Sequence, residues 1–155
     1  MSFKIPILLN WFISLALQDK PVKVFGTGEQ LRDYLYIDDA IDAFLRSAIF
    51  AEKMKNKEAS CGRAQLAGTK IPFATFNVAS GSGIAFVEVA RRITNITKTK
   101  LEMVEWPKDR AAIETGDFIA DCSPAAEALG WSPKTGFDQG LEKTFAYYRE
   151  HLTHY

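Results

Sequence analysis

The sequence is poor in the residues that most often announce a chemistry. It has two cysteines, Cys61 and Cys122, far apart and without CxxC spacing. They read as reduced thiols of a cytoplasmic chain, not as a disulfide framework or a zinc site. Both histidines, His151 and His154, fall at the C-terminal end, the pattern of a frayed tail, and no metal site is expected. Nineteen basic residues balance nineteen acidic ones. No net field therefore draws the chain to nucleic acid or an anionic membrane, and any anion site has to be local. The longest apolar run, Ile5–Leu17, is shorter than the ~20 residues a bilayer span needs. Pro6 and Asn10 interrupt it, and Lys4 is the only early positive charge. A buried or interfacial helix explains that run better than a signal peptide, although Ser14-Leu15-Ala16 mimics a cleavage site. Internal repeats, low-complexity segments and a GxGxxG spacing are all missing.

What is present describes one domain over residues 1–155, with 47% hydrophobic and 25% charged residues. The first helix, from about Pro6 to Gln18, is apolar almost all round and is expected to be covered on more than one side. Val22–Phe25 reads as a strand and Gly26–Gly28 as a turn, with Arg32 and Asp33 beyond it. A second strand is expected at Tyr34–Ile37. Asp38 and Asp39 then open a helix to about Ala51, on whose N-terminal dipole they act. Its apolar residues Ile41, Phe44, Leu45, Ala48 and Ile49 form one stripe. Glu52–Lys70 is polar and lysine-rich and reads as a solvated loop. Thr75–Ala79 is β-rich and runs into Ser80-Gly81-Ser82-Gly83. GxGxxG spacing is absent here, which argues against a phosphate cradle. A helix burying Phe86, Val89, Ala90 and Ile93 follows. Leu101–Trp106 reads as a strand, and Ser123-Pro124 opens a short helix that Gly130 ends. Phe137, Leu141, Phe145, Tyr148 and Leu152 make the core stripe of a last helix.

Three blocks in order carry a family resemblance. VFGTGEQLRDYLYIDDAIDAF resembles the VFGDGxQxRDFVYVDDVxxA segment of the NAD-dependent epimerase/dehydratase family, the extended short-chain dehydrogenases. FNVASGSGIAFVEVARRI resembles the family's FNVGSGxxxSLxELAxxI. DRAAIETGDFIADCSPAAEALGWSPKTGFDQGLEKTFAYYREH resembles its C-terminal RxxDIGDxxADxSKxxxxLGWxPxxxLExGLxxTxxYYxxH.

The resemblance implies an α/β fold in which a small mixed sheet is flanked by helices. It corresponds to the C-terminal, substrate-binding part of the family fold, without the N-terminal Rossmann half. It also implies a nucleotide-sugar ligand, carried on UDP or dTDP. Arg32 and Arg110 would grip the diphosphate, because guanidinium forks match phosphate oxygens in pairs. Val24, Phe25 and Gly26 would border the base, Gln30 would add a polar contact, and Asp117 would approach the ribose or sugar. Without the family, each arginine reads as a surface ion pair, Arg32 with Asp33 or Asp38.

The family's GxxGxxG turn and Tyr-x-x-x-Lys pair do not occur in the sequence. The expectation is therefore a truncated chain that is not catalytic alone and binds no cofactor by itself, with NAD(P) belonging to a complete enzyme. No catalytic residue is assigned. A stand-alone nucleotide-sugar-binding or oligomerisation module and a decayed remnant are the alternatives. Self-association, or a separate cofactor-binding half, would cover the apolar faces left open.

Overall fold

The computed structural model describes residues 8–55, 64–65, 72–108 and 114–151. The elements run α1 (Leu8–Leu17), β1 (Val22–Phe25), β2 (Leu31–Asp33), α2 (Ile37–Lys55), β3 (Ala64–Gln65), β4 (Pro72–Phe73), β5 (Gly83–Ala85), α3 (Phe86–Thr97), β6 (Leu101–Val104), α4 (Ser123–Leu129) and α5 (Phe137–His151). They fall into two compact units. The first takes the described residues of Met1–Asp33, Ser82–Ile119 and Leu141–Tyr155, the second those of Tyr34–Gly81 and Ala120–Gly140.

In the first unit β1 and β6 run parallel, in register from Val22 opposite Leu101 to Phe25 opposite Val104. Parallel neighbours need a long crossover, and α3 lies on the path that returns to β6. Val22 and Val24, alternate residues of β1, are buried together with Phe12, Ile13 and Ala16 of α1 and Val89, Ala90 and Ile93 of α3. Burial of these side chains is the main stabilising term here, at about 1.5–3 kcal/mol for each large one. The opposite face of α3 carries Glu88 with Arg91 and Arg92 in surface ion pairs, which add little. Ala85 offers the helix no side-chain cap. Instead the N–H groups of Phe86 and Val87 donate to the carbonyls of Gln30 (3.3 Å) and Gly28 (2.9 Å), so the first helical donors are satisfied by backbone.

Gly26 and Gly28, both at positive φ, turn the chain out of β1. The strand that follows pairs antiparallel with β5, Leu31 opposite Ala85 and Asp33 opposite Gly83.

The second unit is built on α2 and α4 around Ala43, Ala125 and Trp131, with Leu35, Phe76, Val78 and Leu129 against them. The Trp131 indole N–H donates to the Asp39 carbonyl at 3.0 Å. Asp39 itself is buried, and its carboxylate accepts the Thr135 N–H at 2.9 Å. Burial alone would push that carboxyl up. The Thr135 and Lys134 N–H groups, the Thr135 hydroxyl and the Lys134 charge outweigh it and hold Asp39 below the usual carboxylate range. Arg46 donates to the carbonyls of Leu129 and Gly130, closing the end of α4.

Several expectations are corrected. Among the described residues the strands form three separate two-stranded ladders, not one small mixed sheet. The parallel β1–β6 pair with its helical crossover is a Rossmann-like α/β arrangement, which the expectation of a fold without any such part did not include. The strands expected at Tyr34–Ile37 and Thr75–Ala79 do not form. Pairing starts directly beyond the glycine turn at Leu31, and α2 already claims the Tyr36 carbonyl through the N–H groups of Asp39 and Ala40. Asp39 acts as a tertiary tie and not only as a helix-end charge. Within the expected loop, α2 continues to Lys55 and Ala64–Gln65 pairs with Pro72–Phe73. Cys61, Arg110, Leu152 and His154 lie outside the described residues.

Candidate functional site

A cluster of charged side chains in the first unit is assembled on β2. Arg32 stands in the middle of that short strand, where pairing with Ile84 fixes its backbone. Its Nη2 lies 2.6 Å from Glu114 Oε1, both side chains being about three-quarters covered (23% and 24% exposed). Nη1 donates to the Leu31 carbonyl at 2.9 Å and to the Gly116 carbonyl. The guanidinium carbon sits 5.0 Å from the centroid of the Phe86 ring, a cation–π distance.

Glu114 is held from three sides. Besides Arg32, its Oε1 accepts the Gly116 N–H at 3.1 Å, and the Gln30 side chain also bonds to it. Burial pushes the carboxyl up, but Arg32, the Gly116 N–H and Gln30 outweigh it and leave Glu114 below its ordinary range. Gly116 makes this possible by a left-handed turn at φ +73°. Beyond it, Asp117 Oδ1 accepts the Leu31 N–H at 2.7 Å, and the Phe118 N–H donates to the Leu31 carbonyl at 3.0 Å. Residues 114–118 are thus laid along β2.

The residues singled out in the sequence fall as follows. Gln30, Arg32 and Asp117 come together in this cluster. Arg110 lies outside the described residues. Val24 has its side chain in the core. The Phe25 ring lies 6.2 Å from Trp11 and 5.4 Å from Trp106, centroid to centroid, in a half-buried aromatic row. Arg32 is ion-paired, but with Glu114 and not with the neighbouring Asp33 or Asp38. Sequence reading missed Glu114 and Phe86. Glu114 lies inside a quoted block, yet its partner is 82 residues away and no local spacing connects them.

The glycine turn after β1 is packed by side chains of its own chain. A Cβ at Gly26 would meet the Trp106 indole, and one at Gly28 would meet Val24 and Val87. These two glycines admit packing side chains of the same chain, which a side chain at either position would displace. Among the described residues no group of three or more His, Cys, Asp or Glu could hold a metal ion. No described helix is long and apolar enough to cross a membrane.

Comparison with known proteins gives a consistent picture. The dTDP-glucose 4,6-dehydratase of Haemophilus influenzae is 28% identical over 152 residues, covering 91% of this chain and 39% of that protein. The crystal structure of UDP-glucose 4-epimerase with UDP-glucose from Thermotoga maritima matches with TM-score 0.73 and 25% identity, over 97% of this chain and 41% of that one. UDP-glucuronic acid 4-epimerase from Bacillus cereus, in complex with UDP-glucuronic acid and NAD, shares the fold at TM-score 0.68 and 22% identity, over 94% of this chain and 40% of that one. The chain thus spans about two fifths of the length of the relatives it matches.

The expectation of a truncated half, inactive alone and without a cofactor of its own, is corrected to what the matches show, a chain alike over nearly its whole length to epimerases and dehydratases. The matches are to enzymes, one of them holding NAD. With residues 4–144 matching the family model described as GDP-mannose 4,6 dehydratase, the chain belongs to that family.

Proposed function

We propose that the chain serves NAD-dependent epimerase or dehydratase chemistry on a nucleotide-sugar carried by UDP or dTDP, with Arg32 anchoring the diphosphate. The observation that supports this most is the largely covered guanidinium on β2, bonded to Glu114 and to the Gly116 carbonyl within two of the family-like blocks. A guanidinium partly withdrawn from water binds phosphate oxygens more strongly than an exposed one, because less screening divides the charges. Gln30 adds a neutral donor. Asp117 positions the strand by holding the Leu31 N–H. The aromatic surface at Phe25 and the main chain of Val24 and Gly26 receive the base, and Arg110 takes the second phosphate. NAD, when bound, supplies a reversible hydride acceptor for a sugar hydroxyl carbon. No residue here is given an acid–base role in that step. Self-association through the apolar stripe of α2 and a cytoplasmic location belong to the same proposal.

Calorimetric titration with UDP-glucose and dTDP-glucose tests the anchor. Saturable binding is expected, and Arg32→Ala should weaken it at least tenfold, about 1.5–3 kcal/mol for one charge-assisted contact. Binding unchanged in Arg32→Ala, or no binding to either ligand, would overturn the assignment.

A further inference from the structure

The guanidinium that serves as phosphate anchor already meets a carboxylate of its own chain. Glu114 Oε1 takes both the Arg32 Nη2 proton, at 2.6 Å, and the Gly116 N–H, at 3.1 Å, while the Gln30 side chain bonds to the same carboxylate. A guanidinium, a backbone N–H beside a left-handed glycine and a side-chain amide are together the donor set of an oxyanion nest. All three are filled by Glu114.

We propose that Glu114 is an internal competitor for the nucleoside diphosphate: its carboxylate stands in for a phosphate in the ligand-free chain and is displaced when the ligand binds. The inference rests on Arg32 being the diphosphate anchor. The geometry allows the exchange. Residues 115–118 are exposed, and nothing lies within 4 Å of where a Cβ at Gly116 would stand. Beyond Gly116 the segment is pinned to Leu31 by the Asp117 carboxylate and the Phe118 N–H. Glu114 can therefore swing out on its own side of the glycine without unpicking the strand contacts. The charge balance favours the exchange too. A diphosphate carries more negative charge than one carboxylate, and the departing Glu114 regains water. Displacing an internal anion lowers apparent affinity, since only the unlatched fraction of the chain is competent to bind. Glu114 thereby sets the ligand concentration at which the site fills.

The test is titration of UDP into the full chain and its Glu114→Gln, Glu114→Ala and Arg32→Ala variants, with a thermal melt of each to confirm folding. The latch requires both Glu114 variants to bind UDP more tightly than the parent, by about fivefold or more on the scale of a single competing charge-assisted contact. Arg32→Ala should lose binding. A Glu114 residue that merely braced Arg32 would give the opposite sign, weaker binding in both Glu114 variants. Equal or weaker binding in folded Glu114 variants, with Arg32→Ala still defective, overturns the latch alone. Failure of every protein to bind UDP, or full binding by Arg32→Ala, overturns the anchor and the latch with it.

Discussion

Helices α2 and α3 are both amphipathic in sequence, yet the chain treats their apolar sides in opposite ways. On α3 the stripe Val89, Ala90 and Ile93 is shut completely from water. On α2 the stripe Ile37, Ile41, Phe44, Leu45 and Ile49 is 47–70% exposed, while the inward side carries Asp39 and Ala43. That inward side is held by polar ties. The Asp39 carboxylate meets Thr135, the Asp39 carbonyl meets Trp131, and Arg46 meets Leu129 and Gly130. Periodicity thus locates a stripe but does not say which face the neighbours cover. That depends on what else the chain brings to the helix, and a contiguous exposed apolar face is the usual mark of an interaction surface.

The largest effect belongs to the covered stripe. Ile93→Ala should cost about 2–5 kcal/mol, the range for removing buried methyl groups and leaving a cavity. At this chain length, that lowers Tm by about 5–15 °C. Differential scanning calorimetry measures it. A loss below 1 kcal/mol would erase the distinction drawn between the two helices.

On α2 the weight should fall on the polar inward face. Asp39→Ala leaves the Thr135 N–H without its carboxylate and is expected to cost about 1–3 kcal/mol. This contribution also has a pH signature. The folded pKa lies below the ordinary 3.8, so the stabilisation is fully present above the unfolded value. It disappears as pH falls through the folded one. Urea melts at pH 7 and at progressively lower pH should show parent and variant separated near neutrality and converging in acid. A gap that stays constant into strong acid would mean that Asp39 acts through packing and not through its charge.

Much of this organisation is legible in the sequence where contacts are local. Strand β1 announces itself by Val22 and Val24, and α3 by Val89, Ala90 and Ile93. The last helix shows itself through Leu141 and Phe145, both buried. Strands β2 and β5 are not legible: the sequence points instead to strands at Tyr34–Ile37 and Thr75–Ala79, which do not form. A three-residue ladder has too few side chains to show a period of two, and left-handed glycines decide its start. The site was half visible for a related reason. Arg32 and Asp117 stand in blocks with a family likeness, whereas Glu114 is defined only by a partner 82 residues distant. Asp39 looks in sequence like its neighbour Asp38, and only the approach of Thr135, 96 residues away, separates their roles.

The smallest effect on stability should come from the most hydrophobic-looking residues of α2. Phe44→Ser with Leu45→Ser removes two large apolar side chains that are 70% and 61% exposed, so little burial is lost. The stability of the isolated chain should move by no more than about 0.5 kcal/mol per site, as for ordinary surface positions. What should change is the surface itself, with weaker binding of a hydrophobic dye such as ANS and less association in sedimentation velocity at micromolar concentration. The two readouts separate the cases. A fall in association with an unchanged monomer melt assigns the stripe to a contact between molecules. A large loss of monomer stability would mean that these side chains are covered within the chain after all, and that α2 and α3 obey the same rule.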